Sequence, residues 1–314
     1  METGVQRTYN WWKELDPGFR RNDGKPHFLT FYEFIKYKGP PKGKGRWNHL
    51  HIRKRTWGED IMDLGLKGKK AIVTGGTRGI GRAIANLLAE EGCDLGICAR
   101  TPAQVEEAVA AFKAKGVRAF GSAVDVADGA QLTGFIQSTA EALGGLNLFI
   151  SNVSALGVGN DEASWKKGFE IDVLGTLRGC ETAVPFLEKS GGGAIVVVGS
   201  TAAVEVVGSR RAYSGVKAAI LPYIKSLARD LASKNVRANV VSPGSIYFKG
   251  GVWNVMEQNN PDRYRQTLAR NPMGRMGTPE EVANAVVFLA SPRASFITGT
   301  NLICDGCLTQ RVQF

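Results

Sequence analysis

Tyr213 and Lys217 have the residue types and the spacing of an acid–base pair. They lie four residues apart in a stretch, 211–231, whose apolar residues follow the period of a helix, so both side chains project from one face. A free phenol is a poor proton donor and acceptor at neutral pH, whereas a neighbouring ammonium stabilises the phenolate. The pattern Y-x-x-x-K also occurs by chance on surface helices. Its weight therefore depends on the residues that accompany it.

Ser200 follows an apolar run, 194–199, which has the composition of a strand covered on both faces. A hydroxyl at the carboxyl end of such a strand faces the ligand-binding edge of an open α/β sheet, where it can polarise a carbonyl. A nucleophilic serine is the competing interpretation. It lacks a partner base, because all the histidines of the chain precede Met62. We therefore interpret Ser200 as a group that polarises and orients a carbonyl.

A glycine-rich turn, Thr74-Gly-Gly-Thr-Arg-Gly-Ile-Gly81, lies between a predicted strand and a predicted helix. Glycines let the backbone approach a pyrophosphate, and the helix N-terminus offers free N–H groups and positive potential. Many glycine-rich loops are only sterically demanding, but the strand–turn–helix setting favours a phosphate site. The residues predicted to form this cradle are Gly75, Thr77, Arg78, Gly79, Ile80 and Gly81. With Ser200, Tyr213 and Lys217, the turn predicts a dinucleotide-dependent oxidoreductase.

The end of the second predicted strand indicates which dinucleotide is used. An acidic residue there would bind the ribose 2′-hydroxyl of NAD(H), but the position holds Arg100. A guanidinium suits a 2′-phosphate, and Arg78 can add a second charge, so NADP(H) is favoured over NAD(H). The alternative is that both arginines are solvated surface residues. After the third strand, Asp125 can accept from the adenine amino group or cap a helix, and Val126 follows it.

Short apolar strands alternate with helical stretches from Met62 onwards. The strands lack strict polar alternation, as expected when both faces of a sheet are covered. We predict seven of them, at 70–74, 94–99, 118–123, 147–151, 194–199, 236–241 and 301–304. This alternation predicts an α/β fold with a doubly wound parallel sheet, that is, a Rossmann-like domain over residues 62–314.

Residues 1–61 differ from the rest in charge and composition. They hold 13 Lys/Arg and 7 Asp/Glu, a net charge of +6, so more than half of the chain's +11 lies there. The run Lys38-Gly-Pro-Pro-Lys-Gly-Lys-Gly45 is typical of a basic linker, and only Phe28–Tyr37 shows periodicity. We predict a basic, poorly structured N-terminal extension that is dispensable. A nucleic-acid or partner-binding arm is the alternative, although nucleic acid is not expected as a partner.

The composition also bears on the compartment. No apolar run reaches the roughly 20 residues of a membrane span, and the N-terminus lacks the apolar core of a signal peptide. The five cysteines are scattered and odd in number, which argues against a disulfide framework. These observations predict a cytoplasmic protein without a membrane partner.

These motifs together resemble those of the short-chain dehydrogenase/reductase family, in its NADP-type subgroup, which includes 3-oxoacyl-carrier-protein reductases. Beyond the motifs above, the resemblance includes Ser242-Pro-Gly244, the segment Asn271–Glu281 and the ending Ile297–Gly306. It implies hydride transfer between a nicotinamide and a carbonyl or alcohol carbon, with Tyr213 as the acid–base group and Ser200 orienting the substrate. It also implies a homotetramer or homodimer. The further cofactor contacts that it implies are Asn152, Tyr213, Lys217, Pro243, Gly244 and Ile246.

Two departures from the family pattern concern the site. The family's Asn-Asn-Ala-Gly is Ser151-Asn-Val-Ser154 here. The asparagine that completes the family's proton relay corresponds to Asp172. A carboxylate can bind a relay water, but it also places a negative charge near Lys217 and is costly to bury. We retain Asp172 as a candidate catalytic residue.

The segment after Gly244 is expected to cap the substrate. Its aromatic and apolar residues either line the pocket or pack the segment onto the core, and Gly250-Gly251 can act as a hinge. The predicted substrate is a carbonyl compound or alcohol, with a 3-oxoacyl thioester as the closest alternative. A nucleotide sensor without turnover is the alternative from another class. Cys304-Asp-Gly-Cys307 has redox or metal spacing, but it has no second pair or nearby histidines, so neither a metal site nor a redox role is predicted.

Overall fold

The structure is a computed structural model that describes residues 63–156, 159–206 and 211–312. Its strands are β1 (Lys70–Thr74), β2 (Asp94–Ala99), β3 (Ala119–Ala123), β4 (Leu148–Ser151), β5 (Gly193–Val198), β6 (Val236–Pro243) and β7 (Asn301–Cys304). Each of the seven predicted strands is confirmed to within two residues at either end. The predictions for residues 1–61, including the periodic segment within them, lie outside the described residues.

The strands form one parallel sheet in the order β3-β2-β1-β4-β5-β6-β7. The chain first builds outward from β1 to β3 and then returns to build outward from β4 to β7. The strand order therefore reverses between β1 and β4, and their carboxyl ends flank the crevice where open α/β sheets bind ligands. The predicted doubly wound fold is confirmed.

Helices connect the strands: α1 (Gly79–Glu90), α2 (Pro102–Lys113), α3 (Gly129–Leu143), α4 (Glu162–Gly168), α5 (Gly175–Lys189), α6 (Ala212–Leu231), α7 (Val252–Asn259), α8 (Pro261–Ala269) and α9 (Pro279–Ala290). A π-helical turn, Phe169–Leu174, joins α4 to α5. The helices α7 and α8 belong to the segment expected to cap the substrate. Among the described residues, no helix is long and apolar enough to cross a membrane.

Successive residues of each strand enter two different core layers. Ala71 and Val73 pack with α1, α2 and α9 on one face, whereas Ile72 between them packs with α3, α5 and α6 on the other. Both faces are apolar because side chains alternate across a strand and helices cover each side. The sheet is thereby held as a rigid platform, and the ends of its strands have fixed relative positions.

Phe149 of β4 tests how much the second layer contributes to stability. Its side chain is 0% exposed and its ring lies so close to Gly179 of α5 that an added Cβ there would be 2.7 Å from Cζ. We expect Phe149→Ala to lower the free energy of unfolding by about 3–5 kcal/mol, because the substitution leaves a cavity. Phe296→Ala is the matched control, since Phe296 is 100% exposed. Equal denaturant midpoints for the two variants would contradict this account of the core.

Candidate active site

The glycine-rich turn lies at the crevice between β1 and β4. Gly75 and Gly79 have φ angles of +70° and +54°, a region that glycine adopts readily. A Cβ on Gly81 would come within 2.2 Å of the Gly75 carbonyl oxygen, so the turn and the first turn of α1 pack as closely as two backbones can. No side chain caps the N-terminus of α1. Its N–H groups are therefore available to an anion.

Asn152 attaches the end of β4 to this turn. Its backbone N–H donates to Thr74 Oγ1 at 3.0 Å, and its Nδ2 donates to the carbonyls of Thr74 and Gly75 at 3.2 and 3.4 Å. The asparagine expected to contact the cofactor thus holds the glycine-rich turn in place. Thr74 opens the glycine-rich turn but was not among the residues predicted to form the cradle. A hydroxyl residue at the junction between a strand and a glycine-rich turn could have indicated this role.

Arg78, Arg100 and Asp125 lie along the side of the sheet formed by β1, β2 and β3. Arg78 begins α1, Arg100 directly follows β2, and both are exposed and form no ion pair with a described residue. Asp125 is exposed after β3, where its Oδ1 accepts from the backbone N–H of Ala127 at 3.1 Å. Val126 is buried against the start of α5. This region combines two exposed guanidinium groups with the N-terminus of α1, a setting suited to a phosphorylated ligand.

Ser200 and Tyr213 are held at the carboxyl end of β5. Ser200 is 8% exposed, and its Oγ accepts from the backbone N–H of Ala202 at 3.1 Å, which leaves the hydroxyl hydrogen free to donate. Tyr213 lies in the first turn of α6 and is partly exposed. A donor hydroxyl and a phenol at one sheet edge can polarise a carbonyl and transfer a proton to it.

Lys217 joins these elements from the buried side. Its Nζ donates to the carbonyl of Val198, two residues before Ser200, at 3.1 Å, and lies 5.9 Å from the centroid of the Tyr213 ring. The ammonium is therefore near the phenol and anchored to β5. The helical spacing of Tyr213 and Lys217 predicted from the sequence corresponds to a single helix, α6.

Asp172 lies in the π-helical turn and is paired with Lys217. The two side chains are 0% and 3% exposed, and Asp172 Oδ1 is 3.0 Å from Lys217 Nζ. The contact is chiefly electrostatic, because Oδ1 has no well-aligned hydrogen-bond donor among the described residues. Oδ2 accepts from the backbone N–H of Ala155 at 2.9 Å. The aspartate therefore balances the lysine charge and also holds the loop that follows β4.

The segment after β6 reaches back to the glycine turn. Ile246 is buried and pairs with Gly277 through an isolated bridge, whereas the Gly244 N–H donates to the Cys304 carbonyl at 3.0 Å. Pro243 ends β6. Phe248 contacts the glycine-rich turn: its ring lies beside Gly79, where an added Cβ would be 2.6 Å from Cζ. The sequence did not predict this contact, because the aromatic residues of the segment were expected only to line the pocket or to pack the segment onto the core.

Two hydrogen bonds stiffen this capping segment. The Tyr247 hydroxyl donates to Glu257 Oε2 at 2.5 Å and accepts from Asn254 Nδ2 at 2.9 Å. The bond to the Glu257 carboxylate raises the pKa of Tyr247. Gly251, half of the expected hinge, is buried, and its Cα packs against the Phe248 ring. The first turn of α7 is thereby tied to the stretch that leads into it.

Residues 75–309 match a protein family that is described as "Enoyl-(Acyl carrier protein) reductase". Isoepoxydon dehydrogenase patN of Penicillium expansum is 38% identical over 258 residues, which cover 81% of this chain and 100% of the relative.

Solved structures match as well. L-sorbose reductase from Gluconobacter frateurii, complexed with NADPH and L-sorbose, has a TM-score of 0.74 and 31% identity, covering 80% of this chain and 100% of its own. A 7 alpha-hydroxysteroid dehydrogenase complexed with NADH and 7-oxo glycochenodeoxycholic acid has a TM-score of 0.72 and 27% identity, covering 80% and 98%.

Removing one member of the buried pair tests its structural weight. We expect Asp172→Ala to lower the free energy of unfolding by about 3–5 kcal/mol, because Lys217 is left buried without a counter-charge. Glu162→Ala is the control, since the Glu162–Lys166 pair is 80% and 76% exposed and should contribute little. Denaturant titration of both variants gives the comparison. An Asp172→Ala protein as stable as the wild type would show that water already screens the pair.

Proposed function

We propose, since this chain belongs to the short-chain dehydrogenase/reductase family, that it is an oxidoreductase transferring a hydride between NADP(H) and a carbonyl or secondary alcohol. The observation that carries the proposal is the position of Lys217. It links the end of β5, the Tyr213 ring and the Asp172 carboxylate at the same sheet edge as the uncapped N-terminus of α1. An enzyme of this class needs a tuned proton donor and a phosphate site side by side.

A nicotinamide dinucleotide fits the residues present. Gly81 leaves open a space beside Gly75 that any Cβ would fill. The N–H groups at the uncapped N-terminus of α1 suit a pyrophosphate. The residues that would hold the dinucleotide are Gly75, Thr77, Arg78, Gly79, Ile80, Gly81, Arg100, Asp125, Val126, Asn152, Lys217, Pro243, Gly244 and Ile246. When bound, NADP(H) supplies or accepts the hydride.

The side chains of the chain itself handle the proton and the carbonyl oxygen. In reduction, Ser200 donates a hydrogen bond to the substrate oxygen and Tyr213 transfers its phenolic proton to that oxygen. The Lys217 ammonium stabilises the phenolate that remains. Asp172 holds Lys217 in position, with its Oδ1 at 3.0 Å from Lys217 Nζ. In oxidation, the phenolate takes the proton from the alcohol.

The dinucleotide preference rests on two exposed arginines. Arg78 begins α1 and Arg100 directly follows β2, and both are exposed. A guanidinium in place of a carboxylate directly after β2 supports a partner that carries a 2′-phosphate. The structural relatives have been solved with NADPH in one case and NADH in another, so the fold accommodates either. A cytoplasmic homotetramer or homodimer completes the proposal. The five cysteines are all free thiols, as a reducing compartment allows.

Tyr213→Phe tests the acid–base role. We expect turnover to fall by about 10²–10⁴-fold while NADPH binding changes little, because the substitution removes only the phenolic hydroxyl, the group that transfers the proton. Turnover is followed by NADPH oxidation over a panel of ketones, hydroxy-ketones and 3-oxoacyl thioesters. Tyr223→Phe is the control on the same helix, where the hydroxyl contacts Glu181 instead. Wild-type protein that binds NADPH tightly yet turns over no carbonyl would favour the sensor alternative.

Arg100→Ala tests the preference for the phosphorylated dinucleotide. A charged hydrogen bond is worth about 1.5–3 kcal/mol, so the dissociation constant for NADPH should rise about 10- to 100-fold and that for NADH should not. Arg229→Ala removes an exposed arginine from the last turn of α6 and serves as the control. Equal weakening of both dinucleotides, or of neither, would refute the assignment of Arg100.

A further inference from the structure

Two of the five cysteines, Cys304 and Cys307, differ from the others in their surroundings. Cys93, Cys98 and Cys180 are each 0% exposed in the core layers. Cys304 is half-buried, Cys307 is exposed, and both line one cavity of about 330 Å³. A reagent in solution can therefore reach this pair and not the other three.

The chain reverses immediately between the two thiols. The Leu308 N–H donates to the Asp305 carbonyl at 3.3 Å, and the two central residues, Gly306 and Cys307, have φ angles of +64° and +66°. Two successive positive φ angles are typical of a type I′ turn, whose first residue directly follows Cys304. A left-handed conformation is unfavourable for cysteine, and the carboxylate of Asp305 maintains it by accepting from the Cys307 N–H at 2.9 Å. The turn therefore joins two cysteines that line the same cavity.

The Cys304 sulfur has no strong partner that oxidation would have to displace. Among the described residues, this sulfur forms one hydrogen bond, a long contact of 3.8 Å to the Glu281 carbonyl. These residues include no group of three or more side chains that could hold a metal ion. Burial, together with the charges of Glu281 and Asp305, raises the pKa of the Cys304 thiol. Cys307 is therefore the thiol that reacts first, and Cys304 is the resolving thiol.

The same turn connects to both sides of the candidate active site. The Cys304 carbonyl accepts from Gly244 after β6, and the Asp305 carbonyl accepts from Asn271 Nδ2 at 3.2 Å. Beyond the turn, the Gln310 N–H donates to Glu205 Oε2 at 2.9 Å. Residues 305–312 thus run from the base of the capping segment to the stretch that follows Ser200. We call them the C-terminal segment.

We propose that Cys304 and Cys307 are a thiol–disulfide modification site whose oxidation by a low-molecular-weight disulfide releases the C-terminal segment. Disulfide bonds require specific separations and dihedral angles. Closing one across this turn shifts the backbone of Asp305, whose carboxylate also accepts from the backbone and hydroxyl of Thr309 at 2.8 Å. Loss of those bonds frees the segment from Glu205.

The chemistry is ordinary exchange with a disulfide such as oxidised glutathione. The Cys307 thiolate attacks one glutathione sulfur, the glutathione disulfide bond breaks, and one glutathione thiolate leaves and takes up a proton. The Cys304 thiolate then attacks the Cys307 sulfur of the mixed disulfide and expels the second glutathione. Two protein thiols are oxidised and one external disulfide is reduced, with the two protons carried by the glutathione thiols.

The test treats the full chain with oxidised glutathione and follows it by mass spectrometry and hydrogen exchange. We expect the number of thiols titrated after denaturation to fall from five to three, with a loss of two hydrogens in the peptide that holds Cys304 and Cys307. Amide exchange of peptides covering residues 305–312 should become several-fold faster than in the reduced protein, and dithiothreitol should reverse both changes.

Variants that each lack one of the two cysteines separate the outcomes. Cys307→Ser should keep all four of its thiols after the treatment, and Cys304→Ser should stop at the mixed disulfide with glutathione on Cys307. Five remaining thiols in the oxidised wild type, or a disulfide at other cysteines, would overturn the proposal. So would a Cys304–Cys307 disulfide that leaves exchange in 305–312 unchanged. Neither readout requires turnover, so a failure of the proposed hydride transfer would leave this test intact.

Discussion

The buried pair between Lys217 and Asp172 is the interaction on which the candidate site depends. Two ionised side chains almost without solvent contact are costly to bury unless each has a partner of opposite charge. Lys217 gains a second partner in the Val198 carbonyl, and Asp172 gains one in the Ala155 N–H. Four parts of the chain (the loop after β4, the π-helical turn, the end of β5 and helix α6) are thereby fixed around one charge pair.

Asp172 stands where the family has an asparagine, and a buried carboxylate there would be costly without a counter-charge. The carboxylate does lie beside the lysine, and it compensates the lysine charge in an environment that excludes water. The π-helical turn allows this approach, because an inserted residue changes the direction in which a helix presents its side chains. Such turns are frequent at functional sites. One N–H group of Lys217 is taken by the Val198 carbonyl, which leaves fewer for any ligand.

The sheet supplies the other constraint. Successive side chains of each strand pack into two apolar layers on opposite faces of the sheet. Because both layers are closely packed, the carboxyl ends of the strands cannot move independently. Asn152 uses this rigidity to hold the glycine turn from the neighbouring strand. The capping segment is different, because it is attached by a few specific contacts: Phe248 beside Gly79, Tyr247 with Glu257, and Asn271 with the C-terminal segment. Motion is most easily accommodated there.

The sequence by itself determined the fold class, the strand positions and the main site candidates. These follow from local patterns: apolar runs of strand length, helical spacing between Tyr213 and Lys217, and a glycine turn between a strand and a helix. The tertiary structure alone decided which groups meet. The pairing of Asp172 with Lys217, the contact of Phe248 with Gly79, and the cavity shared by Cys304 and Cys307 join residues through packing geometry. Sequence periodicity does not predict those distances, because they depend on how helices and loops that are distant in sequence pack against the sheet.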